Sequence, residues 1–342
     1  MKLSFWKFAW GQLTATVPPV VEENLDGNTV IVTGANSGLG FEAAKHFARM
    51  GAKLIIACRD KGRGEEALAK IKEATGSKKV ELSILDLSKF SSVKEFVERF
   101  TKSEERLDIL VANAAVTPAP KFEATEDGWE PTLQVNNIAT SLLALELLPL
   151  MVETAKAHHT TPRVVVVSSE VHYWTKIPKE VVNSANPLRL FGTDKKYMAK
   201  KLGSRYEDSK LLNILFVRAL NERLQHKSII VNSPNPGYCH SNIRRNFTGV
   251  FLSAIISLMD ALLARTSEEG SRQLVWAAIG HEDKKDELHG AYISLSQVTE
   301  PSDFVISEEG RIAQDKLWDN LIDELTKIDP KIQDIVKDYL KQ

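Results

Sequence analysis

From residue 28 onward, short runs of β-branched and other apolar residues alternate with longer stretches whose apolar positions recur every three or four residues. The runs "TVIVTG" (29–34), "KLIIAC" (53–58), "VELSIL" (80–85), "LDILVAN" (107–113), "RVVVVSS" (163–169) and "SIIVNS" (228–233) predict strands. The pattern between them predicts helices, the first from about Gly38 to Met50. A strand that is apolar at nearly every position is buried on both faces, and each helical crossover covers one of them. With right-handed crossovers the economical arrangement is an α/β fold, a doubly wound parallel sheet of about seven strands with helices on both faces. No stretch of 27–342 is rich enough in Pro, Gly or Ser to divide it, so a single domain is expected behind an extension over 1–26.

Two apolar stretches fall outside this alternation. In "MKLSFWKFAWGQLTATVPP", Leu3, Trp6, Trp10 and Leu13 share one helical stripe, and Lys7 interrupts any secretory core. That stripe can lie in a membrane interface, giving residues 1–20 a peripheral membrane contact, or pack against the body of the protein. The run "FTGVFLSAIISLMDALLA" (247–264) falls short of the ~20 apolar residues of a spanning helix and is broken by Asp260. It reads as an apolar lid or a buried helix, and the substrate lid is placed at about 238–264.

Composition narrows the function. A chain of 342 residues with 43% hydrophobic and 26% charged residues is long enough for one large core. Lys plus Arg (44) balance Asp plus Glu (45), so no field of one sign points to a nucleic-acid partner. Cys58 and Cys239 stand alone, without the paired Cys and His spacing of a metal site or a disulfide framework. No metal and a reducing, cytoplasmic compartment are therefore expected.

The chemistry sits at strand ends. "TGANSGLG" (33–40) follows the first strand and opens a helix, with glycines at 34, 38 and 40. Glycine there lets the backbone approach a pyrophosphate lying over the free N–H groups of the helix start, so Gly34, Asn36, Ser37, Gly38, Leu39 and Gly40 are expected to hold a dinucleotide. At the end of the second strand, where a carboxylate would select the unphosphorylated cofactor, stand Cys58 and Arg59. A guanidinium suits a 2'-phosphate, which favours NADP(H) over NAD(H), although Asp60, Lys61 and Arg63 lie within reach. In "SRYEDSKLL" (204–212), Tyr206 and Lys210 are four positions apart on a predicted helix and point the same way. The pair is either an ammonium snorkelling past a ring or a phenol whose pKa a cation lowers from ~10.

Taken together these motifs resemble the short-chain dehydrogenase/reductase family, whose fold is Rossmann-type. The glycine loop, "DL" (Asp86, Leu87) after the third strand, "NAA" (Asn113, Ala114, Ala115), "QVNNIAT" around Asn136, "VVVVSSEVH" with Ser169, "YEDSK", and "NPGYCHSNI" with Pro236, Gly237 and Ser241 follow the family order over about 27–327. "ACRD", "TSEEG" and "KLWDNLIDEL" look most similar to the retinol-dehydrogenase-like branch and related fungal and plant reductases. Ala115 and Ala139 replace family glycines, and the spacing from Ser169 to Tyr206 is long, with an insertion at about 172–203 expected to form a loop beside the active site.

The resemblance implies a mechanism and a substrate. Tyr206 would exchange the proton of a carbonyl or alcohol, Ser169 would hold the same oxygen, Lys210 would tune the phenol and bond the nicotinamide ribose, and Asn136 would anchor a water leading to the lysine. The implied activity is a carbonyl reductase or alcohol dehydrogenase. Tyr173, Trp174, Phe247, Phe251 and Leu252 suggest a hydrophobic ketone or aldehyde. Tyr238, Cys239 and Ser241 would border the nicotinamide, and His172 and His240 would flank the substrate together with Tyr238. A homodimer through helices at 126–152 and 204–225 is implied as well. The alternative is a catalytically idle module of the same fold that binds the cofactor as a redox sensor or interaction partner.

Overall fold

In the computed structural model, which describes residues 3–119, 121–225, 228–241 and 250–341, the chain forms an eight-stranded sheet with helices on both faces. The strands are β1 (Thr29–Thr33), β2 (Lys53–Cys58), β3 (Val80–Ile84), β4 (Ile109–Ala112), β5 (Arg163–Val166), β6 (Ile230–Asn235), β7 (Tyr292–Ser294) and β8 (Gln297–Thr299). Their order is β3-β2-β1-β4-β5-β6-β7-β8, parallel as far as β7, with β8 antiparallel at the edge. The six strands expected from the apolar runs are all present, and the hairpin of β7 and β8 brings the total one above the expected number.

Alternation along each strand builds the two halves of the core. Ile31, Ile55, Leu110, Val164 and Val231 face one way, onto the helices Phe90–Ser103, Pro131–His158 and Arg205–Arg223. Val30, Val32, Ile56, Val111 and Ile230 face the other, onto Gly38–Arg49 and Ser267–Ile279. Strand order reverses at β1, which pairs with β2 on one side and β4 on the other. The chain leaves β1 and β4 for helices on opposite faces of the sheet, and a crevice forms at the carboxyl ends of the strands, where ligands bind in open α/β sheets.

One region departs from expectation. The insertion is not a loop but a run of short helical turns, Lys179–Val182, Pro187–Gly192 and Lys195–Lys201. Val181, Leu188 and Phe191 are buried in the main core, and Leu188 N donates to Asn320 Oδ1 at 2.8 Å on the late helix Glu308–Ile328. Apolar residues spaced along the insertion give it a face to bury, which is why it folds down. The helices through which the resemblance implies a dimer carry the chain's own C-terminal elements: Glu308–Ile328 packs on Arg205–Arg223, and Lys331–Tyr339 packs on Pro131–His158. Trp318 stacks on Phe216 there, and the main chain of Leu340 meets that of Leu224.

Candidate active site

The crevice is a cavity of about 740 Å³ walled by the ends of β1, β2, β4 and β5 and by the helix Arg205–Arg223. Gly34 has φ +67°, and a Cβ on it would lie 2.9 Å from Ala114 Cα, so only glycine lets the loops after β1 and β4 meet. Those loops are stitched by Thr33, whose hydroxyl accepts from Asn113 N and Ala114 N (both 3.0 Å), and by Asn113 Nδ2 donating to Thr33 O (2.9 Å). Gly40 lies under this stitch, since a Cβ there would sit 2.5 Å from Asn113 Nδ2 and 2.6 Å from Gly34 O. Gly40→Ala is expected to force the loop open, costing ~1–3 kcal/mol of stability and weakening dinucleotide binding. A lowered urea midpoint with an unchanged slope checks it.

The helix that begins at Gly38 has Ser37 at its N-cap without a side-chain capping bond, so its first N–H groups face the cavity uncapped by that hydroxyl. Of the expected dinucleotide residues, Gly34, Asn36, Ser37, Gly38, Leu39, Arg59, Asp86, Leu87, Asn113, Ala114, Ala115, Pro236, Ser241, Tyr206 and Lys210 line the cavity. Gly40 and Gly237 do not, and serve packing instead: the space beside Gly237 is filled by Arg265 and Gln12.

At the far end of β2, Asp60 caps the helix Lys61–Thr75 by accepting from Arg63 N at 2.8 Å. One of its carboxylate oxygens is thereby engaged at the helix start, and Asp60 also lines the cavity. Arg59, Arg63 and Lys70 line the wall there, with Glu66 between the last two. Arg63, Glu66 and Lys70 fall at i, i+3 and i+7, a spacing that could have been read from the sequence as one helical face.

Tyr206 and Lys210 share the opposite wall. The Lys210 ammonium lies 5.5 Å from the centre of the Tyr206 ring, so the two groups are directed to the same region. Lys210 is buried and donates to Val167 O at 2.9 Å, and burial pulls its pKa down to about 7. Ser168 and Asn213 brace this arrangement, the first by donating to Lys210 O (2.8 Å) and the second to Val167 O (3.2 Å).

Ser169 stands one residue past the wall that Ser168 forms. Its hydroxyl accepts from Val171 N at 3.4 Å, which leaves its proton to be donated elsewhere. It starts the turn Glu170–Trp174, which packs on the helix bearing Tyr206. Asn136 lies in a π-turn, Gln134–Ile138, and its side chain is engaged on every side. Its Oδ1 accepts from Val116 N (2.8 Å), and its Nδ2 donates to Val116 O (2.9 Å) and Ser209 Oγ (3.0 Å). The amide thus ties the β4 loop to the Tyr206 helix, with both Nδ2 hydrogens used and one of the two Oδ1 lone pairs engaged.

Of the expected substrate residues, Tyr206 lines the cavity, whereas Ser169, His172, Tyr238 and His240 are not part of its wall. His172 is buried rather than open to the cavity, with Nδ1 2.8 Å from Ser169 O and Nε2 3.1 Å from Ser302 N. A backbone N–H can only donate, so Nε2 accepts and Nδ1 carries the proton. Burial holds the ring's pKa down at about 4, so it stays neutral and pins the main chain of Ser169. The Tyr238 hydroxyl donates to Asp260 Oδ1 (2.8 Å), and His240 is exposed, its main chain bonded to Arg265 and Ser267. Phe247 and the side chains of Phe251 and Leu252 lie outside the described residues. Glu170, a residue without a motif to mark it, sits beside Ser169, and its burial pushes its carboxyl up to about 7.

The family model described as short chain dehydrogenase matches residues 28–176. The chain is 36% identical over 332 residues to the short chain dehydrogenase/reductase dmxR8 of Cryptosporiopsis sp., covering 95% of this chain and 98% of that relative. It is 34% identical over 313 residues to the short-chain dehydrogenase/reductase phmF of Phaeosphaeria nodorum, covering 91% and 90%. Among solved structures it is similar to an uncharacterized protein from Mycobacterium paratuberculosis, with a TM-score of 0.64 and 27% identity over 90% of this chain and 96% of that one.

Proposed function

The chain belongs to the short-chain dehydrogenase/reductase family of oxidoreductases, and from that premise we propose that it reduces a hydrophobic ketone or aldehyde with NADPH, Tyr206 supplying the proton. One observation carries the reading: the Lys210 ammonium lies 5.5 Å from the Tyr206 ring centre on the wall of a cavity whose other end is the glycine loop. The same residues serve the reverse oxidation when the phenol is ionised.

The residues present fit a dinucleotide. The tight turn at Gly34, packed against Ala114, and the uncapped start of the helix at Gly38 line the cavity and suit a pyrophosphate. Arg59, with Arg63 and Lys70 beside it, would take a 2'-phosphate, these three cations outnumbering the Asp60 and Glu66 carboxylates on the same wall. When bound, a reduced nicotinamide supplies the hydride. Tyr206 then protonates the carbonyl oxygen as negative charge grows on it, and Ser169 donates to the same oxygen and orients it. The Lys210 charge, in a site of low dielectric, favours the ionised phenol and so lowers the cost of giving up its proton. His172 fixes the main chain from which Ser169 reaches.

Turnover of NADPH and NADH against a panel of apolar ketones and aldehydes tests the assignment. NADPH should support it with the higher kcat/KM. Arg59→Ala should erode that preference by about 10- to 100-fold, the loss of a charge-assisted bond of ~1.5–3 kcal/mol. A protein that binds either dinucleotide but oxidises neither with any member of the panel contradicts the reading.

A further inference from the structure

We infer that the helices Phe5–Thr14 and Val250–Leu263 together form a docking surface for a lipid bilayer, lying on its surface beside the mouth of the cavity. The two helices are in contact. Gln12 Nε2 donates to the carbonyls of Tyr238 (3.0 Å) and Leu263 (3.3 Å), and Arg265 reaches back to those of Ala15 (3.4 Å) and Gly11 (3.5 Å). Phe8 is buried on the inner side, edge-on to Trp174 and Tyr238. The outer side is apolar and open. Trp6, Trp10 and Leu13, at i, i+4 and i+7, are 80%, 69% and 61% exposed, and on the second helix Leu258 and Leu262, at i and i+4, are 61% and 62% exposed. Contiguous apolar surface of this kind marks an interaction site.

Chemistry identifies the partner as lipid. Indole rings are the side chains that favour the headgroup level of a bilayer, where an apolar body and a polar N–H are both satisfied. Lys7 is the one charged side chain on the first helix, and it is exposed; the chain's first acidic residue is Glu22. On the second helix the one charged residue is Asp260, whose carboxylate is held by the Tyr238 hydroxyl. On these two helices the exposed charge offered to anionic headgroups is therefore the Lys7 cation, with the one carboxylate held against the Tyr238 hydroxyl. Helices of 10 and 14 residues reach ~15 and ~21 Å, short of the ~30 Å hydrocarbon core, so they rest on the membrane. Pro236 and Ser241, which bracket Tyr238 in the chain, line the cavity. Docking would bring the cavity mouth to the phase in which an apolar substrate concentrates.

The inference is independent of the reductase reading, and its test needs no turnover. The full chain is sedimented with vesicles of phosphatidylcholine, alone and with one quarter phosphatidylserine. Binding is expected, stronger with phosphatidylserine and weakened by salt. Trp10→Glu, and separately Leu258→Glu combined with Leu262→Glu, should each lower the bound fraction by about 10-fold or more, since each removes side-chain burial of ~1.5–3 kcal/mol or greater. Circular dichroism should be unchanged in both, because these side chains face solvent. Three results overturn the inference: wild-type protein that stays in solution with both vesicles, a Leu258/Leu262 variant that binds as tightly as wild type, or a wild-type dimer that ignores vesicles and falls apart on Trp10→Glu, which would assign the face to a second copy.

Discussion

Replacing Tyr206 by Phe is expected to lower carbonyl turnover by ~10²–10⁴-fold while leaving the affinity for NADPH nearly unchanged. The substitution removes one hydroxyl from the cavity wall and keeps the ring against which the Lys210 ammonium sits. Among the described residues, the hydroxyls beside it cannot take over the proton transfer. The Ser168 hydroxyl is spent on Lys210 O, and the Ser169 hydroxyl, an alcohol and so a far weaker acid than a phenol, can donate a hydrogen bond but not release its proton readily. Single-turnover mixing of the preformed NADPH complex with substrate separates the two quantities. A loss confined to KM would mean that Tyr206 only positions the substrate.

Lys210→Met should be at least as damaging to turnover and should, in addition, weaken dinucleotide binding by ~10-fold, through loss of the ribose contact. The fold should survive, since Met fills a similar volume and Val167 O keeps its bond from Asn213. A pH signature accompanies this prediction. Burial holds the ammonium pKa down to about 7, so at pH 8 the amine of the free protein is mostly neutral. An anionic dinucleotide favours the charged form and raises that pKa toward its ordinary value, so binding at pH 8 must take up most of one proton. Below pH 6 the amine is already charged and the uptake disappears. Calorimetry in two buffers of different ionisation enthalpy measures the uptake, and Lys210→Met should abolish it.

Much of this was legible because the decisive signals are local. β1 and β2 are apolar at nearly every position, and that pattern fixes both a strand and its burial on two faces. The glycine loop is legible for the same reason: the close approaches of Gly34 and Gly40 tolerate no other residue. The hairpin of β7 and β8 was missed because each strand has three residues and its turn is made by Leu295 and Ser296, both with positive φ, where Asn-Gly or Asp-Gly would normally announce it. Tertiary contact supports that turn, through Gln273 Oε1 accepting from Ser296 N at 2.6 Å.

The insertion and the C-terminal helices escaped for a related reason. Their apolar residues could be recognised, but which surface they cover depends on partners more than a hundred positions away, as with Leu188 N and Asn320. His172 shows the limit most plainly. A histidine three residues from a serine expected to be catalytic invites a role toward substrate, and only the positions of Ser169 O and Ser302 N reveal that both ring nitrogens are already used.

The most direct test of the account is a crystal structure of the protein with NADP⁺ and an alcohol identified from the panel. The account predicts the nicotinamide C4 about 3–3.5 Å from the carbinol carbon, with the alcohol oxygen about 2.6–3.2 Å from the Tyr206 hydroxyl and the Lys210 ammonium on the nicotinamide ribose. A nicotinamide bound away from Tyr206, or an alcohol whose oxygen meets neither Tyr206 nor Ser169, would contradict it.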